Sequence, residues 1–269
     1  MVLSDSALAT IPVGQGPKGV AVSPDGLHLY VANHDSRSIS VVDTMAGAVE
    51  TVIPLDHNPW GIAITPDGRH AYVSLTPDRV GVLDLLTHDV ITSISVPGFP
   101  AGVALTPNGE RAYAALSLGE SLSIIDTASN TLTGHTESME GAPIAVAITR
   151  DGRHAYVPTD GSCLIEIVET ETGTVSSDPP IVVGCAATDV TFTPDGRYAF
   201  SLSDTLDEAA ELYVIDVATK KAGHPVIVGN SSFGVAVAPD MRTTYITAPD
   251  SGSVLVVLTA DILKSAAPH

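Results

Sequence analysis

The 269-residue chain carries 31 acidic against 12 basic groups, a formal charge of −19, and its only adjacent basic pair is Lys220-Lys221. A surface of that sign repels phosphate backbones and anionic headgroups, which argues against nucleic acid and membrane surfaces as partners and favours neutral or cationic ligands. Hydrophobic residues make up 44% and charged residues 16%, enough apolar material for a packed core, while no segment reaches the length of a membrane span.

In chain order, the opening residues Met1 to Ser6 lack the basic region and apolar stretch of an export signal. The expectation is a cytoplasmic protein, or an exported one whose signal has been removed. Residues 7–13 then read as a lone outer strand with nothing before it to pair with. Five complete units follow, near 17–55, 59–97, 100–138, 143–183 and 186–229, and a sixth over 232–258 lacks its last strand. Each unit turns at a Pro-Asp-Gly segment or a variant of it: Pro24-Asp25-Gly26, Pro66-Asp67-Gly68, Pro107-Asn108-Gly109, Arg150-Asp151-Gly152, Pro194-Asp195-Gly196 and Pro239-Asp240-Met241. The turns recur every 41 to 45 residues, a period that defines whole architectures.

Within a unit, an apolar strand A such as Gly19 to Ser23 turns into strand B, which carries a tyrosine: Tyr30, Tyr72, Tyr113, Tyr156, Tyr198 or Tyr245. Strand C closes on Asp-Thr or a relative of it, and a polar turn leads to strand D. The aspartates repeat around the chain, so they are read as turn-stabilising residues. Strand A is apolar on both faces and must be covered on both sides, which radial stacking achieves. The expected fold is therefore all-β, a single six-bladed β-propeller of four antiparallel strands per blade. The N-terminal strand 7–13 should close the last blade beside residues 253–258, leaving no open sheet edge.

These repeats resemble the YVTN β-propeller repeat, seen here as Tyr30-Val31-Ala32-Asn33 followed by Ile39-Ser40-Val41-Val42-Asp43-Thr44, and the resemblance spans residues 7–258. That family includes surface-layer proteins and lactonase-like and lyase-like enzymes, so the resemblance implies a fold and leaves the activity open.

Connectivity alone sorts the loops. The D-to-A crossovers and B-to-C loops share one face, the top, and the A-to-B and C-to-D turns share the other. His28, His70 and His154 follow the bottom turns in register, His88 lies in a C-to-D turn, His135 and His224 fall on outer strands, and His269 is terminal. Only His34 and His57 are expected on top and near each other, as candidate general acid/base groups. Two histidines do not make a metal site. A divalent metal would need Asp35, Asp78, Glu140, Asp160, Asp204 or Asp207 as well, and no spacing selects among them. No cofactor motif is evident.

Trp60, the sole tryptophan, enters the innermost strand of blade two, and Phe99 and Phe233 are read as holding comparable positions before blades three and six. Converging on a polar mouth, they would either orient a small molecule or plug the axial channel. Blade five carries a longer B-to-C segment with Asp204, Asp207, Glu208 and Glu211: a flap, a cation contact, a partner epitope or simple loop drift. Cys163 and Cys185 both point to the top. Bridged, they would close a 22-residue loop; in a cytoplasmic protein they would stay reduced.

The expected function is binding of a neutral or cationic small molecule at a mouth built from His34, His57, Trp60, Phe99, Glu140, Asp204 and Phe233. The alternatives are a lyase, cyclase or lactone hydrolase using His34 or His57, and a protein-interaction or surface protein.

Overall fold

The structure is a computed structural model that describes residues 7–204 and 209–266. Its first strand, β1 (Ala9–Pro12), stands alone in sequence. Blade one follows as β2 (Pro17–Val22), β3 (His28–Asn33), β4 (Ser38–Asp43) and β5 (Ala48–Pro54), and blade two as β6 (Asn58–Ile64), β7 (His70–Thr76), β8 (Arg79–Asp84) and β9 (Val90–Ser95). Blade three is β10 (Pro100–Leu105), β11 (Arg111–Leu116), β12 (Ser121–Asp126) and β13 (Thr131–His135). Blade four is β14 (Ala147–Ile148), β15 (His154–Pro158), β16 (Leu164–Glu169) and β17 (Ile181–Val182). Blade five is β18 (Ala187–Phe192), β19 (Tyr198–Ser203), β20 (Ala210–Asp216), β21 (Lys221–Ala222) and β22 (Val226–Gly229); blade six is β23 (Val235–Val237), β24 (Thr243–Ala248) and β25 (Ser253–Leu258). Each blade is an antiparallel meander, and β1 pairs antiparallel with β25, Ala9 opposite Val256 and Pro12 opposite Ser253. The N-terminal strand thus closes the ring, as the orphan strand at 7–13 predicts.

Among the described residues the buried apolar side chains fall into six clusters, one per seam. Tyr30, Ile39 and Val41 of blade one meet Ile62, Val73 and Leu83 of blade two. The same arrangement repeats around to the closing seam, where Ile11, Tyr245 and Val254 meet Val20, Leu29 and Val31. Neither face of a blade can be left in water, so each sheet depends on both neighbours.

The bottom face explains the repeated turn residues. The Oγ1 of Thr65 donates to Asp67 Oδ1 at 2.6 Å, and the Arg69 amide donates to the same oxygen at 3.0 Å; Thr149 with Asp151 and Thr193 with Asp195 do likewise. At the end of strand C, Asp43 Oδ1 accepts the amides of Met45 and Ala46, and Thr44 donates to the carbonyl of Gly26. Those hydrogen bonds hold the carboxyls of Asp67 and Asp151 below the usual carboxylate range.

Three features depart from the regular repeat, and the second corrects an expectation. In blade five, Tyr198 pairs with Asp216, the register position that His28 holds opposite Asp43, and Phe200 takes the buried place of the other blades' tyrosines. His224 lies in the break between β21 and β22, where Gly223-His224-Pro225 splits the outer strand in two, rather than on a strand. A short helix, α1 (Thr259–Ser265), follows β25, which the strand pattern does not foretell. It is there because the split outer strand leaves the seam of blades five and six uncovered: Ile262 and Ala266 pack on Phe200, Leu212 and Val226.

Candidate functional site

Strand A of four blades has a break in its pairing where it enters the axis. Pairing skips from Pro17 to Val20 in β2, from Pro59 to Ile62 in β6, from Pro100 to Val103 in β10 and from Ala187 to Asp189 in β18. Such bulges re-aim a side chain out of the sheet. The ring of corresponding positions is Lys18, Trp60, Ala101, Ile144, Thr188 and Phe233. The next ring inwards is Gly19, Gly61, Gly102, Ala145, Asp189 and Gly234. At Gly61 no side chain fits, because a Cβ there would lie 2.7 Å from the carbonyl oxygen of Ala101 and 2.9 Å from Gly102 Cα. Below these rings the inner strands enclose an axial cavity of about 360 Å³, bounded by Trp60, Thr188 and Phe233 above and reaching Pro66 and Pro107 of the bottom turns.

Over the cavity sits an aromatic cluster centred on Trp60. Its ring lies edge-on to His34 at 5.4 Å, Phe99 at 5.5 Å and Phe233 at 5.3 Å. Phe99 is not at the position of Trp60, as the sequence reading has it; one residue ahead of Pro100, it corresponds to Asn58, and it reaches the cluster from the crossover. The ammonium of Lys18 lies 4.2 Å from the centroid of Trp60 and 3.8 Å from that of Phe233. Burial lowers the Lys18 pKa, whereas the charges of Asp35 and Asp204, together with the two ring faces, favour the ammonium. Trp60 Nε1 and Thr188 Oγ1 are buried without a hydrogen-bond partner among the described residues.

The structure joins His34 and His57 loosely. The side-chain amide of Asn58 donates to the His34 carbonyl at 2.8 Å, which sets the two loops side by side, with His57 half-buried at the rim. His34 Nδ1 lies 2.9 Å from Asp35 Oδ1, so a carboxylate orients the ring. Asp204 accepts from Ser231 Oγ and the Ser232 amide at 3.3 Å each, fixing the crossover just ahead of Phe233; desolvation raises its pKa.

Glu140 is apart from this group. It is exposed in the crossover to blade four, and its amide donates to the buried Glu166 carboxylate at 2.9 Å. Asp78 pairs with Arg79 at 3.5 Å, and Asp160 is exposed. Asp207, Glu208 and His269 lie outside the described residues. Among the described residues no group of three or more His, Cys, Asp or Glu side chains is placed to hold a metal ion.

Cys163 and Cys185 are bonded to each other. Their bridge lies beside the hydrogen bond from the Val183 amide to the Cys163 carbonyl, at 3.0 Å, and ties the B-to-C loop of blade four to the crossover into blade five. Among the described residues no helix is long and apolar enough to cross a membrane.

Sequence reading misses two residues. Lys18 passes unnoticed because its neighbourhood carries the ordinary repeat. Asp189 passes because a lone aspartate in an apolar strand stands out only when the six strands are aligned, and then it is the one charged residue where the other blades have Gly or Ala. Its carboxylate spans the seam of blades five and six, accepting the Val235 amide at 2.8 Å and the Val190 amide at 2.9 Å. Asp189 borders the cavity and is otherwise enclosed by protein, and burial pushes its pKa up to about 7.

No protein-family profile matches the chain, and no curated protein matches it. Among solved structures it is similar to the hydrazine synthase of Kuenenia stuttgartiensis. The two share 24% identity and a TM-score of 0.75, over 94% of this chain and 79% of the other. At that identity the likeness establishes the propeller fold and nothing about activity. The protein class defined here is the six-bladed β-propeller.

Proposed function

We propose that the chain binds a small organic molecule at the top mouth of its axial cavity. The observation that carries this reading is the convergence of His34, Trp60, Phe99 and Phe233 over a cavity of about 360 Å³. Small-molecule sites are concave and largely apolar, with a few placed polar groups, and run from roughly 300 to 1,000 Å³. The acidic surface supports a neutral or cationic ligand.

Because Trp60 is the sole tryptophan, its fluorescence reports on the mouth alone. In a thermal-shift screen of small metabolites, a compound that raises the melting temperature is expected to change Trp60 emission and to lose tenfold or more in affinity in Trp60→Leu. A stabilising compound that binds Trp60→Leu and Phe233→Ala as tightly as the parent would refute the mouth as the site.

The bond between His34 and Asp35 favours a second reading, an enzyme of the lyase, cyclase or lactone-hydrolase kind. The carboxylate would fix the tautomer and leave Nε2 to move a proton. If His34→Ala and His57→Ala leave turnover of a bound substrate intact, that reading fails. The Cys163–Cys185 bond supports the exported alternative, a protein of an oxidising compartment.

A further inference from the structure

Of the six side chains at the mouth ring, Lys18 alone carries a charge. Its neighbours at corresponding positions, Trp60 of blade two and Phe233 of blade six, flank blade one from either side. Their rings meet at an interplanar angle of 76° and both lie close to the Lys18 ammonium. Two nearly perpendicular aromatic faces around one cation make a cage, and the attraction of such faces for a cation grows as water is excluded. The carboxylates of Asp35 and Asp204 are near enough for their charges to act on the same point. An anionic guest would meet those carboxylates as repulsion, and a neutral guest would use neither them nor the ring quadrupoles.

Lys18 reaches the cage on a flexible four-carbon stem, so the cage has a tethered occupant that a free cation can replace. A methylated ammonium is the better guest, because it gives up a weaker hydration shell than a primary ammonium on leaving water.

We propose that the Trp60–Phe233 cage recognises an organic ammonium ion, with Lys18 as a built-in competitor that sets the affinity. This inference rests on the mouth being a small-molecule site and specifies its ligand class. A protein whose binding-competent form is only partly populated binds with an affinity reduced by that fraction. Removing the tethered cation should therefore strengthen binding of a free one.

The test is a fluorescence titration of Trp60 with choline chloride at constant ionic strength, beside its uncharged analogue 3,3-dimethyl-1-butanol, in which carbon replaces the ammonium nitrogen. The parent, Lys18→Gln, Lys18→Met, Lys18→Arg and Phe233→Ala are compared, each checked for an unchanged β-sheet circular dichroism spectrum. The expected result is saturable ammonium binding that is tenfold or more tighter in Lys18→Gln or Lys18→Met than in the parent. It should stay weak in Lys18→Arg, disappear in Phe233→Ala, and exceed binding of the alcohol.

Alcohol binding equal to or tighter than ammonium binding would overturn the cage while leaving the mouth as a ligand site. Saturation by neither probe, with the alcohol and ammonium equally inert in the folded lysine variants, would overturn the cage, and a failed metabolite screen besides would remove the mouth reading too. If both lysine variants fail to fold, the parent titrated at high ammonium concentration against Phe233→Ala decides: equal responses in the two refute the cage.

Discussion

Asp189 shows what one residue can do in a ring of near-identical strands. Five blades bring their inner backbones together over Gly or Ala, and the sixth contact is made through a carboxylate that accepts two amides from within the protein. Its pKa, about 7, is higher than that of an aspartate in an unfolded chain, so the folded state holds its proton more tightly. The resulting stabilisation is full below about pH 4, declines as pH rises to about 7, and is gone above that. A shift of this size corresponds to roughly 2 to 4 kcal/mol for an enclosed group. Asp189→Asn can still accept the Val235 amide but cannot ionise. Its urea midpoint at pH 8 is expected to exceed the parent's, and the parent's fall in midpoint between pH 5 and pH 8 should be largely lost. Equal pH dependence in the two proteins would show that another group is responsible. Legibility follows the same line. Trp60 and Phe233 were readable because large aromatics stand out in a chain that is 4% aromatic. Lys18 was not, because its meaning comes from two rings supplied by other blades.

At the scale of the strand and loop, the blade pattern was readable because each turn repeats its own chemistry: a hydroxyl ahead of Pro-Asp-Gly, then an Asp that caps the C-to-D turn. Blade five was read less well. Its loop length, the shift that puts Phe200 in the tyrosine's place and the proline that splits its outer strand all break the period. Helix α1 was missed for a related reason: its role is to fill the gap the split strand leaves, and nothing in its seven residues announces that need. The Cys163–Cys185 bond is a cross-link between a loop and a crossover whose other blades rely on backbone bonds, such as Leu55 to Arg37 and Val96 to Asp78. Closing a 22-residue loop constrains the unfolded chain by about 3 kcal/mol in the chain-entropy estimate. The non-reduced protein should show no reactive thiol under denaturing conditions, and Cys163→Ser with Cys185→Ser should lower the urea-derived stability by about that amount. Two titratable thiols in the untreated protein would contradict the bond.

For the molecule as a whole, six cores at six seams make the ring no stronger than its closure. The closing seam depends on Ile11, which is buried between blades six and one. Removing residues 1–14 deletes β1, bares the edge of β25 and uncovers one side of the Val20–Leu29–Val31 cluster. Exposed strand edges template association. The expected outcome is insoluble protein or a large fall in melting temperature; a soluble truncation that melts with the parent would show that β1 contributes nothing to closure.

The pairing of β1 with β25 also has a consequence for how the chain is made. Strand β1 leaves the ribosome well before its partner β25 and pairs only when that strand emerges. At ordinary elongation speeds this is roughly ten to fifty seconds later. Five blades can stack in order while β1 waits, so the nascent propeller is an open arc with one unmatched lip, and becomes a closed ring only once β25 has emerged.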